Sequence, residues 1–334
     1  MRVLFEPPPL YFLHVPKTGG TSLRKLLGAA YAGRAIAVLE VPLLHRYALS
    51  DLPRFRCYLS HCGPGILNSI GRSDLISATM LRNPVERTIS ALYFHQDNLA
   101  QHPEWFEPEH FERQKQLVGV GLEGMLAAAQ VIDTVENAQT RLLGIEKDYR
   151  MFFADGAIGQ SGKPVRVPYR VPAIGDTHDR DLALQRACQQ LDQMAVVGLT
   201  ERFAESAAML CDVLGIPCPD RLPAERLGVK KSRVDIRGYR AATPPELLEQ
   251  VESLTRYDQA LYAHATELFE QQWARYQARP RRTYSIAPRL RIPLRRVESG
   301  LKSWLRRTLP ASMPRLRQLR ASLRHRRKQN GGQG

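Results

Sequence analysis

Short apolar runs alternate along the chain with longer segments in which apolar residues recur at helical spacing. The apolar runs predict strands, and the helically spaced segments predict helices. The predicted strands lie near residues 9–14, 36–41, 56–60, 75–81 and 194–199, and the predicted helices near residues 21–30, 84–98, 108–117, 120–130, 134–143, 179–193, 201–214 and 244–277. Strands that alternate with helices predict an α/β fold with a central parallel sheet flanked by helices.

The distribution of these elements also predicts the domain organisation. Residues 1–278 are expected to form one folded domain, and residues 279–334 a basic tail that is amphipathic or partly disordered. Residues 100–193 are mostly helical and are expected to form an insertion over the cleft. Within them, residues 148–178 mix Gly, Pro, Arg and Tyr and are predicted to form a loop that could shape specificity.

A strand–turn–helix junction occupies residues 14–23, whose sequence is HVPKTGGTSL. Gly19 and Gly20 let the backbone bend tightly and let a ligand approach it closely. The first amides of the following helix lack intrahelical partners, and the positive end of its dipole favours an anion. With the charge of Lys17 added, the junction predicts a phosphate site; the alternative is a structural turn with a surface lysine. The lysine precedes the glycines, unlike in the common nucleotide-binding loop G-x-x-x-x-G-K-[ST].

A second junction of the same design occupies residues 76–95, whose sequence is ISATMLRNPVERTISALYFH. Arg82 ends the predicted strand, an Asn-Pro pair separates it from the helix, and Ser90 lies about two turns into that helix. An arginine and a hydroxyl beside a helix start predict a second anion site. The alternative is that Arg82 forms a surface ion pair and Ser90 lies on a solvated face.

Together the two junctions resemble the sulfotransferases that use 3′-phosphoadenosine 5′-phosphosulfate (PAPS), in particular the group of heparan and uronyl 2-O-sulfotransferases and their bacterial relatives. HVPKTGGTSL is similar to the 5′-phosphosulfate loop of that family, and LRNPVERTISALYF to its 3′-phosphate segment. Residues 137–144, 196–215 and 254–271 are also similar, so the resemblance covers most of residues 9–275. It implies a P-loop-like three-layer α/β fold and transfer of a sulfonyl group from PAPS to a carbohydrate hydroxyl of a glycan or glycolipid.

The resemblance also implies roles for individual residues. Lys17 would contact the oxygen that bridges phosphorus and sulfur and would offset charge on the departing phosphate. The residues implied to hold the donor nucleotide are Lys17, Thr18, Gly19, Gly20, Thr21, Ser22, Arg82 and Ser90, joined by a late basic loop with Lys231, Ser232 and Arg233. A solvated charge run is the alternative for the late loop. No metal is required by this scheme.

A candidate proton acceptor follows the strand predicted near residues 56–60. His61 stands where that strand ends and a Gly-Pro-Gly loop begins, and ligands of open α/β sheets bind at the carboxyl ends of strands. The resemblance implies that His61 is the catalytic base, although the second histidine of the family is replaced here by Leu59. The alternatives for His61 are a buried structural histidine and a surface loop residue. His14, also at a strand end, is the second candidate base.

Other polar residues carry weaker expectations. Asn137 and Gln139 are expected on a helix that could face the acceptor. Glu86 and Arg87 are expected to form a surface pair that contributes little to stability. Tyr257 and Asp258 are expected to dock the C-terminal helix against the rest of the domain.

The net charge of +15 is concentrated at the end of the chain. Residues 279–334 contain 17 Lys and Arg and a single acid, so residues 1–278 are close to neutral. One apolar helical face within the tail is formed by Leu294, Val297, Leu301, Trp304 and Leu305. This profile predicts that residues 294–328 bind an anionic membrane surface. An acidic polysaccharide, a disordered solubilising tail and, less favoured, nucleic acid are the alternatives.

Further patterns bear on location and on the class of protein. The N-terminus lacks the apolar run of a secretory signal, no stretch has the length of a membrane span, and the five cysteines lack paired zinc spacing. We therefore expect a cytoplasmic, bacterial-type enzyme with reduced thiols, peripheral at the inner face of the membrane through its tail. Two other classes stay open: a kinase or other nucleotide-phosphate enzyme, and a non-catalytic membrane-associated binding protein. The order of lysine before glycine favours the sulfotransferase.

Overall fold

The computed structural model describes residues 6–31, 36–106, 108–128, 135–156, 177–219 and 239–279. The side chains of Thr21, Trp105, His110 and residues 177–179 are outside this description. The late basic loop at Lys231, Ser232 and Arg233, the membrane-binding segment 294–328 and residues 157–176 of the predicted long loop also lie outside the described residues.

Five parallel strands form one sheet. They are β1 Leu10–His14, β2 Ile36–Leu39, β3 Cys57–Ser60, β4 Ile76–Leu81 and β5 Val196–Leu199. The strand order is β2-β3-β1-β4-β5, and each neighbouring pair is parallel. Almost all strand residues are buried, as expected for a parallel sheet that is covered on both faces. All five predicted strands and the parallel sheet are confirmed.

Helices flank this sheet. Within the described residues they are α1 Gly20–Ala30, α2 Leu67–Ile70, α3 Pro84–Gln101, α4 Pro108–Gln114, α5 Leu122–Ala127, α6 Ala138–Gly144, α7 Thr177–Asp192, α8 Phe203–Leu214, α9 Tyr239–Ala242, α10 Pro245–Leu254 and α11 Arg256–Gln277. The single helix predicted over residues 244–277 is wrong, because the chain breaks at Thr255. The backbone of Thr255 leaves the helical region, and its hydroxyl donates a hydrogen bond to the carbonyl of Val251 at 2.8 Å.

The helical stretch predicted as one insertion is divided between two hydrophobic clusters. Side chains of α5, including Met125, pack with Val85 and Ile89 of α3 and with Val251 of α10. In contrast, α6 and α7 share the main core with the sheet. The start of the predicted long loop is also anchored, because the Tyr149 hydroxyl accepts a hydrogen bond from the amide of Gly63 at 3.0 Å.

The strand order brings the two predicted anion junctions together. The chain leaves β1 towards β2 and leaves β4 towards β5, and these two strands are the opposite edges of the sheet. Such a reversal opens a crevice at the carboxyl ends of the two central strands, where open α/β sheets bind their ligands. His14 at the end of β1 is paired in register with Met80 of β4. The two loops that carry the sequence motifs therefore begin side by side.

Candidate functional site

The loop between β1 and α1 is a tight turn that two left-handed residues shape. Lys17 has φ 75° and Gly19 has φ 81°, a region in which residues other than glycine are uncommon. The hydroxyl of Thr18 is buried and donates to the carbonyl of Val15 at 2.8 Å. The amide of Ser22 donates to the carbonyl of Gly19 at 3.1 Å and begins the helix. Thr18 thus holds the shape of the turn from inside.

The ammonium of Lys17 lies against helix α3. Its Nζ atom is 4.0 Å from the centroid of the Phe94 ring, a distance at which a cation is attracted to an aromatic face. Phe94 follows Ser90 by one helical turn, so both residues lie on the same face of α3. The lysine of the first motif and the serine of the second are therefore on the same side of the crevice. Phe94 had no distinguishing signal in the sequence.

Two arginines from the second motif hold the first loop. Arg82 Nη1 donates to the carbonyl of Lys17 at 3.4 Å, and Arg87 Nε donates to the carbonyl of Pro16 at 3.3 Å. The predicted surface pair of Glu86 and Arg87 is wrong: Arg87 is completely buried, and the carboxylate of Glu86 pairs with Arg82 at 3.2 Å. Burial lowers the pKa of Arg87 to about 10, so it keeps its charge at pH 7. The two motifs form one hydrogen-bonded unit.

Helix α6 fixes the turn that presents Arg82. Gln139 Oε1 accepts from the amide of Arg82 at 3.1 Å, and Gln139 Nε2 donates to the carbonyl of the same residue at 3.0 Å. The Asn137 side chain accepts from the amides of Tyr257 and Asp258. Both side chains were expected to face an acceptor, but they are buried and serve to position the backbone around the site.

Asp258 joins α11 to α6, as the sequence predicted for docking of the C-terminal helix. Its carboxylate accepts from the amide of Thr140 at 2.7 Å, from the Thr140 hydroxyl at 2.8 Å and from the amide of Gln139 at 3.2 Å. Burial raises the pKa of Asp258, while the hydrogen bonds from Thr140 and the charge of Arg87 oppose that rise. The support of Arg82 by Gln139 therefore extends to the last described helix.

The side chains of His14 and His61 lie next to each other at the carboxyl ends of β1 and β3. The ring centroids of His14 and His61 are 4.5 Å apart, at an interplanar angle of 48°. A Cβ atom added to Gly20 would lie 1.8 Å from His14 Nε2, so the imidazole occupies the space beside the first residue of α1. The bare backbone at Gly20 thus leaves room for His14, whereas the sequence suggested a tight bend and the approach of a ligand as the reasons.

A carboxylate and an arginine that the sequence analysis did not single out complete this end of the sheet. Glu40 directly follows β2, and its Oε1 atom lies 3.0 Å from Arg24 Nη2 and 3.4 Å from His61 Nε2. The sequence placed Glu40 inside a strand predicted near residues 36–41, whereas β2 ends at Leu39, so its position at a strand end became visible only in the structure. The end of the sheet at which its strands have their carboxyl termini therefore carries four of these residues: Lys17 after β1, Arg82 after β4, His61 after β3 and Glu40 after β2.

Burial sets the protonation of these groups. It lowers the pKa of His61 to about 3, and the nearby Arg24 adds to this effect. It also lowers the pKa of His14 well below the usual range, with further lowering from His61, Arg24 and Lys17. Burial raises the pKa of Glu40, and the charge and hydrogen bond of Arg24 oppose that rise. At pH 7 both imidazoles are therefore neutral, and neutral imidazole can accept a proton.

The remaining predicted site residues lie around the same crevice or outside the described part of the chain. Ser22 and Ser90 are both nearly buried, at the start of α1 and on α3. Tyr239 is the first described residue after the late basic loop, and its ring stacks on Tyr93 of α3 with centroids 5.8 Å apart. The amide of Arg240 donates to Glu86 at 3.0 Å. Arg240 therefore lies next to the partner of Arg82.

Metal-binding clusters and membrane-spanning helices are both absent from the described residues. Among them, no group of three or more His, Cys, Asp or Glu side chains is placed to hold a metal ion. No helix in the described ranges combines the length and apolar character that crossing a membrane requires.

No protein-family model matches the chain, and no curated protein matches it in sequence.

Proposed function

We propose that the protein is a PAPS-dependent O-sulfotransferase with a P-loop-like fold that acts on a carbohydrate hydroxyl. The observation that carries this proposal is the hydrogen bond of 3.4 Å from Arg82 Nη1 to the carbonyl of Lys17. It joins two cationic junctions that the sequence separates by more than sixty residues. A ligand with two anionic groups on one molecule matches such a pair of sites.

The residues of the crevice fit the two charged ends of PAPS. At the first junction, the start of α1 has no side-chain cap hydrogen bond among the described residues, and the ammonium of Lys17, from the same turn, lies against Phe94 of α3. Backbone amides at a helix N-terminus together with a lysine suit a 5′-phosphosulfate. At the second junction, Arg82 and Ser90 suit a 3′-phosphate. Arg82 is also paired with Glu86, so a bound phosphate would share this guanidinium with a carboxylate.

The proposed chemistry assigns one task to each end of the site. PAPS supplies a sulfonyl group that is bound to a phosphate leaving group. Lys17 would hold its positive charge against the negative charge that develops on that phosphate. His61 would accept the proton of the acceptor hydroxyl, since its imidazole is neutral at pH 7. The crevice would hold both reactants in line, which contributes much of the rate in group transfer of this kind.

The proposal also includes the chemical class of the acceptor and the location of the protein in the cell. A carbohydrate hydroxyl follows from the resemblance to glycan sulfotransferases. Residues 294–328 would hold the enzyme at an anionic membrane surface on the cytoplasmic side, where a lipid-linked glycan would be within reach.

Nucleotide binding tests the proposal without knowledge of the acceptor. The thermal midpoint and the dissociation constant would be measured with 3′-phosphoadenosine 5′-phosphate, with 5′-AMP and with Mg-ATP. We expect the bisphosphate to bind about 10–100-fold more tightly than 5′-AMP, since charge-assisted hydrogen bonds to one phosphate are worth about 1.5–3 kcal/mol. Arg82→Ala should remove most of this difference. Lys115→Ala, on an exposed lysine outside the crevice, serves as the control.

Two results would contradict the proposal. Stabilisation by Mg-ATP without stabilisation by the bisphosphate would favour a kinase or another nucleotide-phosphate enzyme. Equal affinity for 5′-AMP and the bisphosphate would show that the second junction does not bind a 3′-phosphate. If Arg82→Ala lowers the thermal midpoint on its own, Arg82→Lys provides a separate test. It keeps the positive charge and shows whether the planar guanidinium is needed to bind the 3′-phosphate.

A further inference from the structure

Glu40 is fixed beside His61 by two neighbouring elements. Leu39, at the end of β2, is in register with Ser60 of β3, so the residues that follow these strands are adjacent. The amide of His61 donates to the carbonyl of Leu39 at 2.9 Å, which ties the two strand ends together. The carbonyl of Glu40 accepts from the amide of Leu43 at 2.7 Å as a 3₁₀ turn begins. The backbone on both sides of the contact is therefore held.

One carboxylate oxygen contacts both a cation and an imidazole. Glu40 Oε1 lies 3.0 Å from Arg24 Nη2 and 3.4 Å from His61 Nε2, and the Glu40 and His61 side chains are 14% and 9% exposed. Burying a carboxylate is costly unless it is paired and hydrogen-bonded. Arg24, whose side chain is 37% exposed, offsets part of that cost from α1. The buried carboxylate of Glu40 thus lies between the imidazole of His61, the candidate base, and the partly exposed guanidinium of Arg24.

We propose that Glu40 is a positioning residue that accepts a hydrogen bond from His61 Nε2–H, so that Nδ1 is the atom that takes the proton. This inference rests on the proposed function. As the acceptor oxygen forms its bond to sulfur, its proton passes to Nδ1, and the bond from sulfur to the phosphate oxygen breaks with its electron pair on the phosphate. The imidazolium formed in this step carries a positive charge beside the Glu40 carboxylate. Glu40 keeps its own charge throughout, so the atoms and charges balance.

The charges around His61 make such a partner necessary. Arg24 from α1, Lys17 from the loop after β1 and, when protonated, His14 from β1 all oppose a positive charge at this end of the sheet. Glu40 is the carboxylate that contacts the imidazole among the described residues. A histidine in this environment binds a proton poorly, and a carboxylate in contact with it offsets part of that cost, as the aspartate of a catalytic triad does for its base.

The tautomer of His61 tests the inference directly and needs no acceptor. Nitrogen-15 NMR of the imidazole side chains distinguishes an Nε2–H from an Nδ1–H tautomer in the full chain at pH 7. We expect His61 to be the Nε2–H tautomer in the wild type. Glu40→Gln should weaken that preference, and Glu40→Asp should keep it in part. An Nδ1–H tautomer in the wild type would overturn the inference whether or not the protein transfers sulfate.

Kinetics provides the second arm, with PAPS and a desulfated uronic-acid polysaccharide as probes. We expect Glu40→Gln to lower kcat at least about tenfold, since loss of a base's orienting carboxylate is costly, and to leave the affinity for 3′-phosphoadenosine 5′-phosphate unchanged. The wild-type kcat should fall on acidification as Glu40 and then the base His61 are protonated, and Glu40→Gln should lose the part of this fall that Glu40 contributes. The matched control is Glu104→Gln, because Glu104 contacts His102 at 3.3 Å on the exposed surface.

The two arms separate the failure of this inference from failure of the proposed function. A pH profile of Glu40→Gln parallel to that of the wild type, with lower thermal stability, would show that the carboxylate only ties α1 to β2. Absence of bisphosphate binding in the wild type would contradict the sulfotransferase proposal, while the NMR result would still decide whether Glu40 sets the tautomer of His61.

Discussion

The side-chain amide of Gln139 hydrogen-bonds both backbone polar groups of Arg82, with Oε1 3.1 Å from the amide nitrogen and Nε2 3.0 Å from the carbonyl oxygen. A residue of α6 therefore determines how the turn after β4 presents its arginine. Gln139 is itself held, because its backbone amide donates to Asp258 at 3.2 Å. The turn that carries Arg82 thus depends on two helices that are distant from it in sequence.

Replacement of Gln139 should weaken both stability and nucleotide binding. Gln139→Ala leaves the amide and carbonyl of Arg82 buried without this partner, and each such group costs about 1–3 kcal/mol. Urea denaturation should show the lower free energy of unfolding, and the affinity for 3′-phosphoadenosine 5′-phosphate should fall. Gln116→Ala, at an exposed glutamine that contacts a neighbouring carbonyl, is the control. Wild-type stability in Gln139→Ala would mean that the turn holds its shape alone.

Two glycines of α1 should respond in opposite ways to the same substitution. A Cβ atom at Gly20 would meet His14 Nε2 at 1.8 Å, whereas a Cβ atom at Gly28 would meet nothing within 4 Å. We expect Gly20→Ala to destabilise the protein by about 1–3 kcal/mol through overpacking. Gly28→Ala should be neutral or stabilise by about 0.5–1 kcal/mol through helix propensity. Thermal and urea unfolding measure both effects.

A double variant identifies the neighbour responsible for the Gly20 effect. Adding His14→Ala to Gly20→Ala should recover part of the lost stability, since residues in contact are not additive. If the changes in the free energy of unfolding caused by the two substitutions simply add, a neighbour other than His14 is responsible for the Gly20 effect.

Substitution of Lys17 should separate activity from stability. Lys17→Ala and Lys17→Gly should both lower kcat by about 10²–10³-fold, the usual cost of losing one group that stabilises developing charge. The glycine variant should be the more stable of the two by about 1 kcal/mol, because glycine adopts a left-handed conformation without strain. Turnover with PAPS and urea denaturation give the two quantities. Full turnover in either variant would remove Lys17 from the mechanism.

Acid should destabilise the protein through His61. Its pKa is about 3 in the folded protein and near 6.5 when unfolded, so the unfolded chain binds more protons between these values. The free energy of unfolding therefore falls as the pH drops from about 6.5 towards 3, by up to about 1.4 kcal/mol per pH unit from this residue. Glu40 has the opposite effect. Because its pKa is raised in the folded protein, its protonation increases the free energy of unfolding as the pH drops towards the ordinary pKa of a glutamate.

Urea unfolding at several pH values measures this contribution. His61→Asn should flatten the acid limb relative to the wild type. His102→Asn, at a histidine on the exposed surface, should leave the limb unchanged. Equal slopes for His61→Asn and the wild type would show that His61 is protonated in the folded state at higher pH.

Local sequence patterns predicted the elements well and their contacts poorly. The five apolar runs became the five strands because a parallel sheet buries both of its faces, which requires apolar residues at nearly every position. The break of the last helix at Thr255 was missed, since a threonine within a helical pattern gives no clear stop signal. Arg87 was expected at the surface, because charged residues are rarely buried without a partner, and its partner lies on a distant loop.

The sequence by itself determined the strands, most helices and the two cationic junctions, because hydrophobic spacing and glycine turns act over a few neighbouring residues. The tertiary structure alone decided which groups meet: Arg82 with the carbonyl of Lys17, Gln139 with the backbone of Arg82, and Glu40 with His61. Those contacts depend on the strand order, and the strand order follows from how the whole chain packs around one core. No local pattern encodes it, so the carboxylate beside the candidate base became visible only in the folded protein.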